Sequence, residues 1–186
     1  MKTDGIRAAV LVGAGFEDAE LTEPVAALKQ AGADVTLVGI SGKDKKGVTG
    51  KRGTVVTVDR TVDEVDPADF DLLVIPGGKG PARLRADERI LDFTRAIDAA
   101  GKPVAAICHG PQVLASAGLL EGRTVTSFFT VAREVKKAGG NYVNRPVVVD
   151  GNLITSRQPS DIPKFIAAIF DSVGIRAGEK ASRAVG

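Results

Sequence analysis

Short apolar runs alternate with segments of helical periodicity along the chain. The apolar runs predict strands that are buried on both faces, because such strands are continuously hydrophobic; they lie at residues 8–12, 35–40, 71–75 and 104–107. Apolar residues at helical spacing predict helices at residues 17–31, 88–100, 110–117 and 160–173. Ser160 is expected to be the N-cap of the last helix.

Two further segments predict hairpins or loops. Gly151-Asn152 separates the apolar runs 147–150 and 153–156, which is typical of a hairpin. The polar residues 43–53 indicate a solvated loop or hairpin, followed by a strand at 54–58.

Strands that alternate with helices predict an α/β fold with a mostly parallel sheet and helices on both faces. In such folds ligands bind at the carboxyl ends of the strands. Residues 13–20, 76–80 and 108–110 are therefore expected to meet at one edge of the sheet. The length of 186 residues, without repeats or linkers, predicts one domain over residues 1–174 and a flexible tail over 175–186.

Charge and composition narrow the possible partners. Hydrophobic residues make up 44% of the chain, and 25 basic residues are mixed with 23 acidic ones. No clustered basic face is visible, so a specific nucleic-acid partner is not expected. The 18 residues from Pro103 to Leu120 carry no charge, but Gly110 and Pro111 interrupt them, which favours a buried strand and helix over a membrane span. No export signal is visible, so we expect a cytoplasmic protein.

Cys108 is the only cysteine, which excludes an internal disulfide framework. It follows a predicted strand and precedes a predicted helix, with small residues at 106 and 110, as in a nucleophile elbow. A helix N-terminus stabilises a thiolate, so the pKa of Cys108 is expected to lie below the free value of ~8.5. The alternative is a small buried hydrophobic residue without chemistry.

His109 is the only histidine. A zinc site with several histidines is therefore excluded, as are triads with a histidine far downstream of the cysteine. Adjacent side chains on a sharp turn diverge, so a direct Cys108–His109 hydrogen bond is not expected. The sequence leaves open whether the ring or the backbone N–H of His109 is its functional group.

Two acids and two glycines complete the candidate site. Glu17 and Glu20 fall in the first turns of a predicted helix, with Glu20 at the margin of its apolar face. A carboxyl group against apolar neighbours has a raised pKa and can donate a proton; alternatively, both acids only complement the helix dipole. The amides of Gly77 and Gly78, after Pro76, face an oxyanion or belong to a simple turn.

A nicotinamide or flavin cofactor is not expected. Gly13 and Gly15 resemble half of a dinucleotide fingerprint, but the third glycine is absent. No acid ends the second strand near Ile40, where a ribose partner would lie. We expect no cofactor and no metal.

Four motifs in the same order resemble the DJ-1/PfpI superfamily, and most closely its PfpI intracellular-protease branch. They are FEDAEL at 16–21, PGG at 76–78, AICHGP at 106–111 and SRQPSD at 156–161. The resemblance implies a flavodoxin-like sandwich, a homodimer or larger homo-oligomer, and a reactive cysteine. It also implies Cys108 as the nucleophile, Glu20 as its carboxyl partner, and the Gly78 and His109 amides as the oxyanion hole.

The sequence departs from the superfamily pattern at two positions. The resemblance implies an acid after Pro81, reaching the histidine of a neighbouring subunit, but Ala82 occupies this place. It also implies, in the DJ-1 branch, a second histidine where Phe128 stands. The first departure weakens a Cys–His–acid peptidase triad, and the second removes a possible proton shuttle. Arg157 either contacts substrate or braces the fold, and we favour the second role.

The leading hypothesis is a stress-protection enzyme of the glyoxalase or deglycase type. Its Cys108 would attack α-oxoaldehydes or their protein adducts, and Glu20 would matter more than the His109 ring. The alternatives are an intracellular cysteine peptidase and an oxidation sensor without turnover.

Overall fold

The computed structural model describes residues 5–176. Within this range the strands are β1 (Arg7–Leu11), β2 (Asp34–Gly39), β3 (Val48–Thr49), β4 (Val55–Val56), β5 (Arg60–Thr61), β6 (Leu72–Ile75), β7 (Val104–Ile107), β8 (Thr124–Val125), β9 (Asn141–Tyr142), β10 (Val147–Asp150) and β11 (Leu153–Ser156). The α-helices are α1 (Asp18–Gln30), α2 (Gly80–Leu84), α3 (Glu88–Ala99), α4 (Pro111–Ser116), α5 (Ala132–Lys137) and α6 (Ile162–Ser172).

Seven of the strands form the main sheet, in the order β10-β11-β7-β6-β1-β2-β5. All neighbours pair in parallel except β10 and β11, which form the predicted antiparallel hairpin. The central strands are buried because helices cover both faces, and alternate residues of each strand pack into two separate cores. The predicted α/β fold with a mostly parallel sheet is confirmed.

The central strands begin and end close to their predicted bounds, whereas several short elements differ. The strand expected at 54–58 contains two residues, Val55 and Val56, which pair with β3 in a small hairpin. The last helix begins at Ile162, after a 3-10 turn at Pro159–Asp161, and Asp161 rather than Ser160 is its N-cap residue. The Ser160 prediction is therefore wrong, because the chain is still turning at that residue.

Of the tail predicted at 175–186, residues 177–186 lie outside the described residues. Ile175, which is predicted to belong to the tail, continues the fold instead, since it is buried and its N–H donates to the Phe170 carbonyl. Across residues 5–176, no helix has the length and apolar character needed to cross a membrane.

Candidate active site

The turn between β7 and α4 places Cys108 at the carboxyl edge of the sheet. Cys108 has φ +63°, and it is the only non-glycine residue within 5–176 with a positive φ. Its N–H donates to the Ser156 carbonyl (3.0 Å), and its carbonyl accepts from the Phe128 N–H (3.0 Å). Neighbouring segments therefore hold this strained backbone in place, as a nucleophile elbow requires.

The Pro76-Gly77-Gly78 loop lies directly against the elbow. Gly78 has φ +79° and pairs with Phe16 in an isolated β-bridge. A Cβ on Gly77 would lie 2.6 Å from the Cys108 Cβ, so this loop approaches the cysteine as closely as glycine permits. The N–H groups of Gly78 and His109 point at the thiol and lower the pKa of Cys108. The structure thus brings both predicted oxyanion donors to the sulfur.

Glu20 is completely buried beside the same loop, rather than lying at the margin of the helix face as predicted. Its Oε1 accepts the Gly77 N–H at 2.9 Å, and its Oε2 has no hydrogen-bond partner among the described residues. Burial raises the pKa of Glu20 to about 8, although the Gly77 amide and the Cys108 thiol lower it in part. Glu20 is therefore a protonated carboxylic acid at neutral pH.

The pKa of Cys108 is raised to about 12, which contradicts the predicted value below that of a free cysteine. Burial is the largest cause, and the charge of Glu20 is the next. The two amides oppose these effects without reversing them. The α4 helix is six residues long, so its dipole is small. Cys108 is a thiol in the resting site.

The His109 ring lies against the thiol, and the predicted divergence of these two side chains is wrong. His109 Nδ1 is 3.2 Å from Cys108 Sγ. The left-handed backbone at Cys108 changes the directions in which successive side chains leave the chain, so both face the same cleft. The ring packs on Phe128 with centroids 5.2 Å apart. Burial, followed by the Lys51 charge, lowers the pKa of His109, so the imidazole is neutral.

Glu17 and Arg157 each pair with another charged side chain and not with the Cys108 thiol. The Glu17 carboxylate accepts from Arg52 Nε at 2.7 Å, at the mouth of the cleft. Arg157 binds both carboxylate oxygens of Asp161, at 2.8 and 3.0 Å, and is absent from the cleft lining. Arg157 therefore braces the segment before α6.

A cleft of about 810 Å³ opens above Cys108. Its lining comprises Glu17, Lys51, Arg52, Gly78, Lys79, Ala82, Arg83, Cys108, His109, Gln112, Phe128 and Pro159. Sequence reasoning missed the basic residues among these. Lys51 and Arg52 lie in a segment predicted to be solvated, and the five-residue helix that carries Arg83 is too short to show periodicity.

The β3–β4 hairpin reaches the cleft because it is attached to the start of α1. The Asp18 carboxylate accepts the backbone N–H groups of Arg52 and Thr54, both at 2.9 Å. The Lys51 N–H donates to the Phe16 carbonyl at 2.8 Å. The described residues contain no group of three or more His, Cys, Asp or Glu side chains that could hold a metal ion.

Comparison with known proteins agrees with this geometry. The family model described as "DJ-1/PfpI family" matches residues 6–172. The chain belongs to the DJ-1/PfpI family. It is 47% identical to General stress protein 18 of Bacillus subtilis over 87% of this chain and 94% of the relative. It is 46% identical to Deglycase PfpI of Pyrococcus furiosus over 79% of this chain and 87% of the relative.

Solved structures of the DJ-1/PfpI family show the same fold. The crystal structure of Drosophila melanogaster DJ-1beta superposes with a TM-score of 0.85 at 30% identity, covering 96% of this chain and 95% of that chain. The predicted family is therefore confirmed, and the predicted function agrees with the names of the stress-protein and deglycase relatives.

Proposed function

We propose that this DJ-1/PfpI protein is a cysteine-dependent enzyme of the glyoxalase or deglycase type, acting on α-oxoaldehydes or their protein adducts. One observation carries the proposal: a buried, protonated Glu20 lies beside the Cys108 thiol, under the amides of Gly78 and His109. This arrangement supplies a nucleophile, a proton donor and oxyanion donors around one carbonyl group.

The first step is addition of Cys108 to the aldehyde carbon. The neutral His109 imidazole accepts the thiol proton at Nδ1 while the sulfur–carbon bond forms, and the carbonyl electron pair moves onto oxygen. The Gly78 and His109 amides stabilise that oxyanion. Glu20 then donates its proton to the oxygen, which gives a hemithioacetal and leaves Glu20 as a carboxylate.

The second step moves hydrogen between the two substrate carbons. The Glu20 carboxylate removes the proton from the former aldehyde carbon, while the His109 imidazolium protonates the ketone oxygen to give an enediol. Glu20 returns its proton to the adjacent carbon, and the remaining hydroxyl of the aldehyde carbon gives its own proton back to Glu20. Water hydrolyses the resulting thioester to a 2-hydroxy acid and restores the thiol. One carbon is oxidised and its neighbour is reduced, so no external oxidant is needed.

Peptide hydrolysis fits this site less well. An amine leaving group needs a proton from an imidazolium that a third group orients. Ala82 supplies no acid, and both carboxylate oxygens of Glu134 are engaged by Arg85 and Gln112. Among the described residues, no carboxylate forms a hydrogen bond with the His109 ring.

The test is turnover of methylglyoxal by the purified protein, beside a panel of peptide substrates on the same preparation. We expect turnover that Cys108→Ser abolishes and that Glu20→Gln lowers by ~10²–10⁴-fold, since Gln keeps the shape but loses the acid. His109→Ala is expected to lose ~10²-fold or more, because the thiol then lacks its base.

Three outcomes would overturn the proposal. Turnover that survives in Cys108→Ser would exclude the nucleophile. Peptide cleavage faster than aldehyde turnover would favour the peptidase. Absence of both activities, with peroxide converting Cys108 to a sulfinate, would favour the oxidation sensor.

A further inference from the structure

The mouth of the cleft is strongly basic. Four cationic side chains line it, and all four residues are exposed: Lys51, Arg52, Lys79 and Arg83. One carboxylate, that of Glu17, lies among them, and it is buried under Arg52 (2.7 Å) and Lys51 (3.9 Å). The charge above Cys108 is therefore mainly positive.

Lys79 and Arg83 contribute the unneutralised part of this charge. Neither side chain forms a salt bridge or a hydrogen bond within residues 5–176. In contrast, the Arg52 guanidinium is paired, because it donates to the Glu17 carboxylate. The backbone fixes Lys79, because its N–H donates to the Gly15 carbonyl at 2.8 Å. Arg83 follows in α2, and the small Ala82 between them leaves the cleft open.

The reacting groups below add no charge at neutral pH to offset these cations. Glu20 is protonated, the Cys108 thiol is uncharged, and the His109 imidazole is neutral. A low-dielectric pocket with cations at its mouth attracts anions and concentrates them near its floor.

We propose that the substrate is an α-oxoaldehyde carrying a negative charge, and that Lys79 and Arg83 select it by binding the anionic group. This inference rests on the proposed function and deepens it, because it names the class of substrate. Taking a separation of ~8 Å and a water-like dielectric at this exposed mouth, two cations favour the anionic compound over a neutral analogue by about fivefold.

A matched pair of substrates tests the preference. The probes are 4,5-dioxopentanoate and its neutral methyl ester, which carry the same α-oxoaldehyde group. We expect kcat/KM for the carboxylate divided by kcat/KM for the ester to fall about fivefold in the double variant Lys79→Ala/Arg83→Ala. The control Lys29→Ala/Lys102→Ala removes the same charge at the opposite edge of the sheet, and its ratio should equal that of the wild type. A ratio in the Lys79/Arg83 variant equal to that of the wild type would overturn the inference.

A second measurement does not depend on turnover. Cys108 is the only thiol, so its alkylation by anionic iodoacetate and by neutral iodoacetamide is read directly from intact mass. The rate with iodoacetate divided by the rate with iodoacetamide should fall in the Lys79/Arg83 variant, and it should fall for the wild type in high salt. It should not fall in the Lys29/Lys102 control. A protein without aldehyde turnover that shows this fall would overturn the proposed function and leave the anion site intact. An unchanged alkylation ratio in the Lys79/Arg83 variant would overturn the site itself.

Discussion

The thiol of Cys108 lies where burial opposes its ionisation, since its pKa is raised to about 12. A thiolate of high pKa is also a strong nucleophile once it forms. The neutral His109 imidazole at 3.2 Å can take the proton as the sulfur attacks, so a resting thiolate is not required. The elbow motif predicts the position of Cys108. It does not predict the direction of the pKa shift, because the burial of the thiol, which is the largest cause, depends on contacts with residues far along the chain.

The pH at which Cys108 reacts tests this environment. We predict that the midpoint of iodoacetamide labelling lies above the free-cysteine value of ~8.5, since burial is the dominant effect. Glu20→Gln should lower the midpoint, because it removes the next-largest cause of the raised pKa. Glu17→Gln is the matched control, with a smaller shift expected. A wild-type midpoint at or below the free value would contradict this assignment.

At the scale of elements, long apolar runs are predicted well and short elements poorly. The central strands β6 and β7 and the β10–β11 hairpin are visible as apolar runs between turn signals. The helix α5 has six residues, and β8 and β9 have two each, so none of them is long enough to show a period. Their positions are determined by packing across the sheet, which no local pattern records.

The contact between α4 and the sheet depends on Gly110. A Cβ there would lie 2.6 Å from the Ile75 carbonyl oxygen and 2.9 Å from that of Ile107. We predict that Gly110→Ala lowers the free energy of unfolding by about 1–3 kcal/mol, because backbone atoms of two strands must move. In Gly42→Ala, the control, no atom lies within 4 Å of the new Cβ, so a change within about 0.5 kcal/mol is expected. Equal stability of the two variants in urea would contradict this interpretation.

At the scale of the whole molecule, the site exists because parallel strands end at one edge. The carboxyl ends of β1, β6 and β7 bring together segments that lie more than thirty residues apart in the sequence. The general property of α/β sheets predicts this convergence. The approach of the β3–β4 hairpin, which carries Lys51 and Arg52, was not predictable. It depends on the Asp18 carboxylate binding the hairpin backbone.

Burial of Glu20 also makes global stability depend on pH. The unfolded carboxyl ionises from about pH 4.5, whereas the folded one keeps its proton up to about 8. The contribution of Glu20 to the free energy of unfolding is therefore fully present below pH 4.5 and is lost as the pH rises to 8. The Glu20→Gln variant does not lose stability in this way, because glutamine does not ionise. We predict that the stability of this variant relative to wild type increases by roughly 3 kcal/mol between pH 5 and pH 8. Urea unfolding at both pH values measures it, and a constant difference would show that Glu20 is not protonated when folded.

The most direct test of the central claim is to trap the covalent intermediate. Glu20→Gln keeps the thiol and the oxyanion donors but lacks the carboxylate that removes the proton from the former aldehyde carbon. The hemithioacetal formed by methylglyoxal on the sulfur should therefore accumulate. We predict that intact mass and peptide mapping show one methylglyoxal unit on Cys108 in this variant. The adduct should be absent from Glu20→Gln/Cys108→Ser. Methylglyoxal turnover by the wild type without any adduct on Cys108 in the trapping variant, or with full activity in Cys108→Ser, would contradict nucleophilic catalysis at this residue.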